Sequence, residues 1–211
     1  DGDEQIKKAR EALGAAEREL FAAAKALKRA RNTAAPRFCH EVGRQMARLE
    51  MGGAELVWDS RDLPRAEWTP AGPSSYELLY RSGAGLTPRP LRRIASGGEL
   101  SRVMLASKVV LGNADGVDTL VFDEVDAGVG GSTARALASV LADLAATHQV
   151  IVVTHLAQVA VMADKHYVVS KEPGDVPQTH LDEVSGDART AEIARMLSGD
   201  QSEASLAHAK Q

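Results

Sequence analysis

The chain has 211 residues, of which 44% are hydrophobic and only 4% aromatic, and its formal net charge is −4. This length suffices for one sizeable, mainly aliphatic core. The single cysteine excludes an internal disulfide, no apolar run approaches the roughly 18 residues of a membrane helix, and the opening segment does not resemble a signal peptide. These features predict a cytoplasmic protein with no membrane partner.

Residues 1–31 predict a coiled-coil helix. A large apolar residue recurs every seven residues, at Ile6, Leu13, Leu20 and Leu27, and alanine recurs with the same period three positions later. Heptads with one large and one small apolar position are typical of a close-packed coiled coil, although a lone amphipathic helix on a globular domain is the alternative. No partner helix is evident downstream, so we expect it in another part of the polypeptide or in another chain.

Residues 32–93 predict a break followed by a second helix and two strands. Pro36 lacks the N–H that a helix interior needs, so the coil is expected to end there. A second helix is expected to follow, with Phe38, Val42, Met46 and Leu49 on one face, and to end at Gly52-Gly53. Strands are expected at Ala54–Asp59 and Ser75–Arg81, with a loop rich in proline, glycine and serine between them.

The stretch IASGGELSR (Ile94–Arg102) predicts an anion site at the start of a helix. Gly97 and Gly98 permit close approach of the backbone, Ser96 supplies a hydroxyl, and an apolar helical pattern follows at once. Backbone N–H groups and the helix dipole favour a phosphate at such a place, although an isolated Ser-Gly-Gly also occurs in ordinary turns. The chain has no Gly-Lys dipeptide, so the loop that normally grips the β- and γ-phosphates is absent.

Beyond Pro90, helices alternate with short apolar strands. The strands are TLVFDE (Thr119–Glu124) and QVIVVTH (Gln149–His155). The helix before them places Leu100, Val103, Met104 and Leu111 on one face, and the helix between them, Ser132–Ala146, carries Leu137, Val140, Leu141 and Leu144 inward. This order predicts an α/β fold with a parallel sheet that helices cover on both faces.

Polar side chains follow both strands, at the carboxyl ends where ligands of such sheets bind. Neighbouring residues of a strand point in roughly opposite directions, so Asp123 and Glu124 do not chelate one ion together. We expect Asp123 to hold Mg²⁺ through a water and Glu124 to deprotonate the water that attacks a phosphoryl group. His155 is placed to donate a hydrogen bond to the transferring phosphate. The alternative is that the acids cap a strand in solvent and the histidine is structural.

These motifs occur in the order and spacing of the ABC-type ATPases. ASGGE (Ala95–Glu99) resembles their signature motif, TLVFDE their Walker B strand, VDAG (Val125–Gly128) their D-loop, and His155 their switch histidine. The signature departs from the usual pattern at its ends, where alanine and glutamate replace leucine and glutamine.

Within that superfamily, a coiled coil that leads into the signature half is characteristic of the SMC-like branch, which this chain resembles. LRRIASGGELSRVMLASK, VFDEVDAGVGGSTA and VTHLAQVAVMADKHYVVSKE look like the carboxyl-terminal part of those members that repair double-strand breaks in bacterial DNA. So do the trailing RTAEIARMLSGD and LAHAK. The resemblance extends over residues 36–210.

The resemblance implies the signature-containing lobe of an ABC-type ATPase head, with residues 1–35 as the end of a coiled-coil arm and residues 36–211 as the carboxyl-terminal lobe. It implies that an amino-terminal lobe of the same protein supplies the Walker A motif and that two heads form a homodimer around ATP and Mg²⁺. Ser96, Gly97 and Gly98 would contact the γ-phosphate of ATP bound by the second head, and Glu99 and Asp126 would also belong to the cofactor-binding residues. Asp126 would couple the two sites, Asp123 would support Mg²⁺, Glu124 would be the base, and His155 would sense the γ-phosphate.

A local excess of basic residues suggests contact with DNA, without reading of its sequence. Between Leu20 and Arg48, seven lysines or arginines accompany one acid, and between Arg81 and Val110 six accompany one acid. A solvated helix face explains the first group as well, and Arg92 and Arg93 also suit ATP or the partner head.

The expected function is ATP hydrolysis in DNA repair and recombination at the nucleoid, with this chain alone inactive. An SMC-like clamp or tether that bridges DNA ends is the alternative. An ABC transporter ATPase is a third class, which the heptads before the signature disfavour.

Overall fold

The fold was analysed in a computed structural model, which describes residues 2–172 and 178–198. The elements are α1 (Gly2–Arg48), β1 (Glu55–Asp62), β2 (Ser74–Arg81), β3 (Arg89–Pro90), α2 (Gly97–Leu111), β4 (Thr119–Phe122), α3 (Gly131–Ala145), β5 (Gln149–Val152), α4 (Ala157–Ala160), β6 (His166–Glu172), β7 (Gln178–Val184) and α5 (Gly186–Ser198). Two compact units contain them: unit 1 has the chain up to Gly43 and residues 53–93, and unit 2 has residues 44–52 and the described residues from Ile94 onward.

Helix α1 is continuous over 47 residues, so the break predicted at Pro36 is wrong. The second helix expected from residue 38 is the end of α1. A proline inside a helix costs about 3 kcal/mol because it removes one hydrogen bond and crowds the preceding turn. Here Ala35, Cys39, Val42 and Met46 form a buried stripe on both sides of Pro36. Tertiary packing of that stripe outweighs the local preference.

Unit 1 holds a three-stranded antiparallel sheet in the order β1-β2-β3. The two strands predicted from the sequence are confirmed as β1 and β2, which pair from Glu55↔Arg81 to Asp62↔Ser74. Within the unit, Lys28 of α1 forms an ion pair with Asp62 at 2.6 Å. Upstream in α1, the seven-residue stripe of Ile6, Leu13 and Leu20 is exposed to solvent.

Unit 2 is built around β4 and β5, which pair in parallel with Phe122 opposite Val152. The four residues of α3 that were expected to face inward are all buried, and α3 packs against α2, β5 and α4. In α2, Val103 is buried as expected, whereas Met104 is exposed and Leu105 takes an interior position instead. The prediction for this face of α2 was therefore only partly correct.

The sheet of unit 2 is covered on one face only, which corrects the expectation of two covered faces. Leu120 and Phe122 are buried, but the cross-strand pair Val121 and Ile151 is 66% and 46% exposed. A groove of about 320 Å³ between α2 and β4 is lined by Met104 and Val121 and ends at Asp123. Met104 thus faces the same groove as the uncovered strand surface, which explains its exposure.

The remainder of unit 2 is the antiparallel hairpin β6–β7 and helix α5. Helix α4 packs on α5 through Ala157, Ala160 and Ile193, with Met196 against them. Within the described residues, no helix is both long and apolar enough to cross a membrane. The last part of the resemblance, from Gly199 onward, lies outside the described residues.

Candidate functional site

The predicted anion site is the amino-terminal end of α2. Ser96 is the N-cap, with extended backbone angles of φ −97° and ψ 120°. Its Oγ accepts a hydrogen bond from the backbone N–H of Glu99 at 3.3 Å, as expected for a serine that satisfies one of the free donors of a helix start. The backbone of Glu99 is therefore already bonded within the chain.

The two signature glycines both lie against the segment after β4, but they contact different atoms of it. A Cβ on Gly98 would lie 2.9 Å from Ala127 Cβ, 3.0 Å from Ala127 O and 3.1 Å from Glu124 O. A Cβ on Gly97 would collide with Oε2 of the Glu124 side chain. Glycine at residue 98 therefore lets α2 approach a backbone segment of its own chain, and the structure brings the start of α2 and Glu124 together.

Asp123 and Glu124 follow β4 directly, and both are exposed. The Asp123 side chain accepts a hydrogen bond from the backbone N–H of Glu124 at 2.8 Å, and its backbone carbonyl accepts one from the Ser101 hydroxyl at 2.9 Å. Glu124 has a φ of +55°, unusual for a residue other than glycine. Such strained backbone is found mostly where the surrounding structure imposes it, as at active sites.

Mg²⁺ fits Asp123 as a single hard oxygen ligand rather than as a complete cage. The described residues contain no group of three or more His, Cys, Asp or Glu side chains that could hold a metal ion. Mg²⁺ usually keeps several waters and binds one or two carboxylates together with phosphate oxygens. The single carboxylate of Asp123 is compatible with such a site, in which waters and phosphate oxygens of a ligand complete the coordination.

The segment from Glu124 to Val129 forms consecutive turns. The N–H of Ala127 donates to Glu124 O and that of Val129 to Asp126 O, both at 3.0 Å. From α2, Arg102 Nη1 donates to the carbonyl oxygens of Val125 at 3.3 Å and Ala127 at 3.1 Å.

Asp126 is the buried carboxylate of the site, at 4% exposure. Its Oδ2 accepts hydrogen bonds from the Thr154 hydroxyl at 2.5 Å and from the backbone N–H of His155 at 3.0 Å. A buried carboxylate is costly unless such donors compensate it. Asp126 therefore connects the segment after β4 to the segment after β5.

His155 places its ring beside the same carboxylate. Nδ1 lies 3.2 Å from Asp126 Oδ2, and the side chain is 70% exposed. A carboxylate at Nδ1 favours the tautomer that is protonated there, which leaves Nε2 available to another partner. The ring is thus oriented by the chain and accessible to a ligand.

The structure brings the predicted site residues into two contacting groups. The first joins Gly97 and Gly98 of α2 with Glu124, and the second joins Asp126 with His155. Sequence reasoning missed Arg102 and Thr154, which hold the segment between the two groups. Thr154 directly precedes His155, whereas Arg102 stood out only as one member of a basic stretch.

Many of the basic residues considered for DNA contact have partners inside the chain. Arg48 forms an ion pair with Asp143 at 2.6 Å, and the guanidinium of Arg31 lies over the Tyr76 ring, 4.8 Å from its centroid. Further pairs are Lys28–Asp62, Arg81–Glu55, Arg92–Glu77 and Lys108–Asp115. On α1, Lys25, Arg29 and Arg37 are exposed, and no ion pair is shown for them among the described residues.

Comparison with known proteins gives several relatives in sequence that are DNA repair proteins. The chain is 42% identical over 199 residues to the DNA repair protein RecN of Treponema pallidum, covering 92% of this chain and 35% of that protein. It is 48% identical over 172 residues to RecN of Deinococcus radiodurans, covering 81% of this chain and 28% of that protein. The chain therefore spans about a third of the length of the RecN relatives it matches. No family model matches the sequence.

Solved structures with a similar fold include heads of Smc proteins. The Smc head domain with a coiled coil and joint from Pyrococcus yayanosii superimposes with a TM-score of 0.57 at 19% identity, covering 90% of this chain and 35% of that one. A Smc head domain with an extended coiled coil from Pyrococcus furiosus gives 0.54 at 20% identity, covering 86% and 44%. The expected α/β fold, a signature-containing lobe of an ABC-type head that carries a coiled-coil helix, is confirmed. By sequence, the chain belongs with the RecN proteins and corresponds to their carboxyl-terminal part, and its fold is similar to that of the Smc heads.

Proposed function

We propose that this chain is the signature-bearing lobe of an ATP-hydrolysing head that acts in DNA double-strand break repair and recombination. The observation that carries the proposal is the convergence of three predicted motifs on one segment. The start of α2 packs on Glu124 and Ala127, and Asp126, between them, is bonded to His155. The sequence relationship to RecN supplies the biological setting.

The amino-terminal end of α2 contacts the γ-phosphate of a nucleotide that a second head binds. Ser96, Gly97, Gly98 and Glu99 contribute to that contact, and the two heads form a homodimer. The positive end of the α2 dipole favours a phosphate there.

Glu124 acts as the general base and Asp123 supports Mg²⁺, through a water. When bound, ATP supplies the phosphoryl group and Mg²⁺ neutralises charge on its oxygens. The Glu124 carboxylate, exposed at the end of β4, accepts a proton from the attacking water. Asp123 is held by the N–H of Glu124, so the two carboxylates keep separate roles.

His155 contacts the γ-phosphate, and Asp126 couples it to the rest of the site. The Asp126 carboxylate fixes the ring through Nδ1, which leaves Nε2 to donate or accept at the ligand. Asp126 is also part of the segment against which α2 packs. It therefore connects His155, the γ-phosphate sensor, to the amino-terminal end of α2, which meets the second head.

An amino-terminal lobe of the same protein, carrying the Walker A motif, covers the open face of β4 and β5. These strands are apolar on both faces, which is typical of strands buried between two layers, yet Val121 and Ile151 are exposed in this chain. Residues 1–35 are the end of the coiled-coil arm and residues 36–211 the lobe. The exposed stripe of Ile6, Leu13 and Leu20 receives the partner helix.

DNA is contacted through its phosphates, without sequence preference, and the protein works in the cytoplasm at the nucleoid. The exposed Lys25, Arg29 and Arg37 on α1 are the basic residues that suit this contact best. The tether and the transporter ATPase are not favoured, because the sequence relatives are DNA repair proteins.

The first test is ATP hydrolysis by an assembled head, meaning this chain combined with an amino-terminal lobe that carries a Walker A motif. We expect essentially no hydrolysis by this chain alone, because it lacks the phosphate-gripping loop. The assembled head should be active, and Glu124→Gln should lower its kcat on the order of 10²–10⁴-fold, the usual contribution of a general base.

The matched control is Glu67→Gln, which removes an exposed carboxylate from a 3-10 turn in unit 1. It should leave kcat unchanged. Robust hydrolysis by the isolated chain, or full activity of the assembled head with Glu124→Gln, would contradict the proposed function.

A further inference from the structure

Arg102 connects the first half of α2 to the segment after β4. Its Nη1 reaches from α2 to two backbone carbonyl oxygens, Val125 O at 3.3 Å and Ala127 O at 3.1 Å. A guanidinium is permanently charged and rigidly planar, so its hydrogen bonds to carbonyls are stronger and better oriented than neutral ones. One nitrogen therefore bridges the carbonyl groups of the two residues on either side of Asp126, Val125 and Ala127.

Asp126 is held from its other side by the segment after β5. Its carboxylate accepts from the Thr154 hydroxyl and from the N–H of His155. Arg102 thus bonds α2 to the two neighbours of Asp126, and the Asp126 side chain is bonded to the segment after β5 through Thr154 and His155. The two sets of bonds therefore hold the same three-residue segment, Val125–Ala127, from two sides.

The packing of α2 on this segment is too close to adjust freely. Gly98 approaches this segment so tightly that even a methyl group would collide with Ala127 Cβ at 2.9 Å and crowd the backbone oxygens of Ala127 and Glu124. Close-packed contacts transmit displacement instead of absorbing it. A shift of the segment relative to α2 would therefore also move Asp126 and the ring that it orients.

We propose that Arg102 is a positioning residue of the ATPase site, which fixes the segment Val125–Ala127 relative to the start of α2 and, through Asp126, orients His155. It acts without contact to nucleotide. This inference rests on the proposed function, because it assigns Arg102 to the same site.

Arg189 provides a matched control, because it makes the same kind of contact elsewhere. From α5, its Nη2 donates to the carbonyl oxygens of Ala160 at 3.2 Å, Val161 at 3.1 Å and Ala163 at 2.6 Å. Both arginines therefore stabilise the fold through backbone carbonyls, but Arg102 bonds the two neighbours of Asp126, whereas Arg189 bonds carbonyls of residues 160–163. A purely structural role would make the two substitutions alike.

The experiment compares Arg102→Gln, Arg102→Lys and Arg189→Gln in the assembled head. We expect Arg102→Gln to lower kcat on the order of 10- to 100-fold, the size of effect that a misplaced reacting group produces, with KM for ATP within about twofold. Arg102→Lys should recover much of kcat, because a single ammonium nitrogen can also bridge two carbonyls. Arg189→Gln should lower the unfolding temperature at least as much and leave kcat near wild type.

A double substitution tests the path through Asp126. If Arg102 and Thr154 hold the same residue, Arg102→Gln and Thr154→Val together should cost clearly less in kcat than the product of their separate effects. Amide hydrogen exchange of this chain should show faster exchange over residues 124–130 in Arg102→Gln, with the buried part of α3 unchanged.

The outcomes separate this inference from the function on which it rests. An assembled head that is inactive, or indifferent to Glu124→Gln, refutes the proposed function. A head that is active and needs Glu124, yet keeps its kcat in Arg102→Gln or loses it equally in Arg189→Gln, overturns the role of Arg102.

Discussion

Gly97 and Gly98 are adjacent and identical, yet the structure gives them different constraints. A side chain at residue 98 would meet backbone atoms of Glu124 and Ala127, which cannot move without disturbing the turns after β4. A side chain at residue 97 would meet only the end of the flexible Glu124 side chain. The first glycine therefore matters for the position of the Glu124 carboxylate, and the second for the packing of α2.

Alanine substitutions should separate these two roles. Gly98→Ala should lower the free energy of unfolding by about 1–3 kcal/mol, the usual cost of overpacking. Gly97→Ala should leave stability unchanged or slightly raised, because alanine is the better helix former and the carboxylate can rotate away, but kcat of the assembled head should fall. Chemical denaturation of the chain and ATPase assays of the head measure both effects, and equal destabilisation by the two variants would contradict this account.

At the scale of elements, His166 of β6 lies near charged residues of α5 and has a shifted pKa. Burial, and secondarily the nearby charge of Arg189, lower the pKa of His166 below its ordinary value, against a smaller opposing effect of Glu192. Its Nδ1 is buried, with no hydrogen-bond partner among the described residues. The folded chain therefore prefers the neutral imidazole.

Acidification should destabilise the chain in a window set by this histidine. Because the pKa of His166 is lower in the folded chain, the unfolded chain binds a proton at this residue first as the pH falls. The free energy of unfolding is therefore unaffected by His166 above about pH 6.5 and decreases as the pH falls below that value. Thermal unfolding between about pH 7.5 and 5.5 should show a loss that His166→Gln reduces and His40→Gln, at an exposed position of α1, does not.

Two ion-paired carboxylates, Glu192 and Asp115, have lowered pKa values, so their titration does not contribute to the change between pH 7.5 and 5.5. The hydrogen bond from Arg195 lowers the pKa of Glu192, and that from Lys108 lowers the pKa of Asp115. Their stabilising contributions are present above the unfolded-state pKa of about 4 and are lost only as the pH falls further. If His166→Gln kept the full loss between pH 7.5 and 5.5, the assignment to His166 would be wrong.

At the scale of the whole molecule, the open face of β4 and β5 is the most informative surface. Val121 and Ile151 pair across the strands and are largely exposed, and the groove beside them contains Met104. A strand surface of this composition is typical of a buried layer, which is why we assign it to the Walker A lobe.

Substitution on this face should weaken assembly of the head without unfolding the chain. Val121→Lys places a charge in the expected interface, and we expect a loss of affinity for the Walker A lobe of at least tenfold, measured by calorimetry. Stability of the isolated chain should change by less than about 0.5 kcal/mol, as for other exposed positions. The control is Val169→Lys on β6, at 64% exposure, which should not affect affinity. Unchanged affinity in Val121→Lys would place the lobe elsewhere.

Predictions from the sequence succeeded where the pattern is local. The period of α3, the two parallel strands and the helix start at Ser96 all follow from short-range spacing, and the structure confirms them. The predicted end of the coil at Pro36 failed because the energy that holds α1 together there comes from buried residues on both sides. Met104 and Leu111 share the predicted apolar face of α2 with the buried Val103 but are exposed, because helical spacing does not show which layers of the fold cover that face.

The sequence by itself determined the motifs: a serine and two glycines before an apolar helix, two acids after one strand and a histidine after the next. These depend on backbone geometry and side-chain chemistry, which act over a few residues. Only the tertiary structure decided which of them meet. Gly98 is confined by Ala127, Arg102 spans the two carbonyls beside Asp126, and one sheet face stays open. Such contacts join residues distant in the chain, and close packing, not local pattern, selects them.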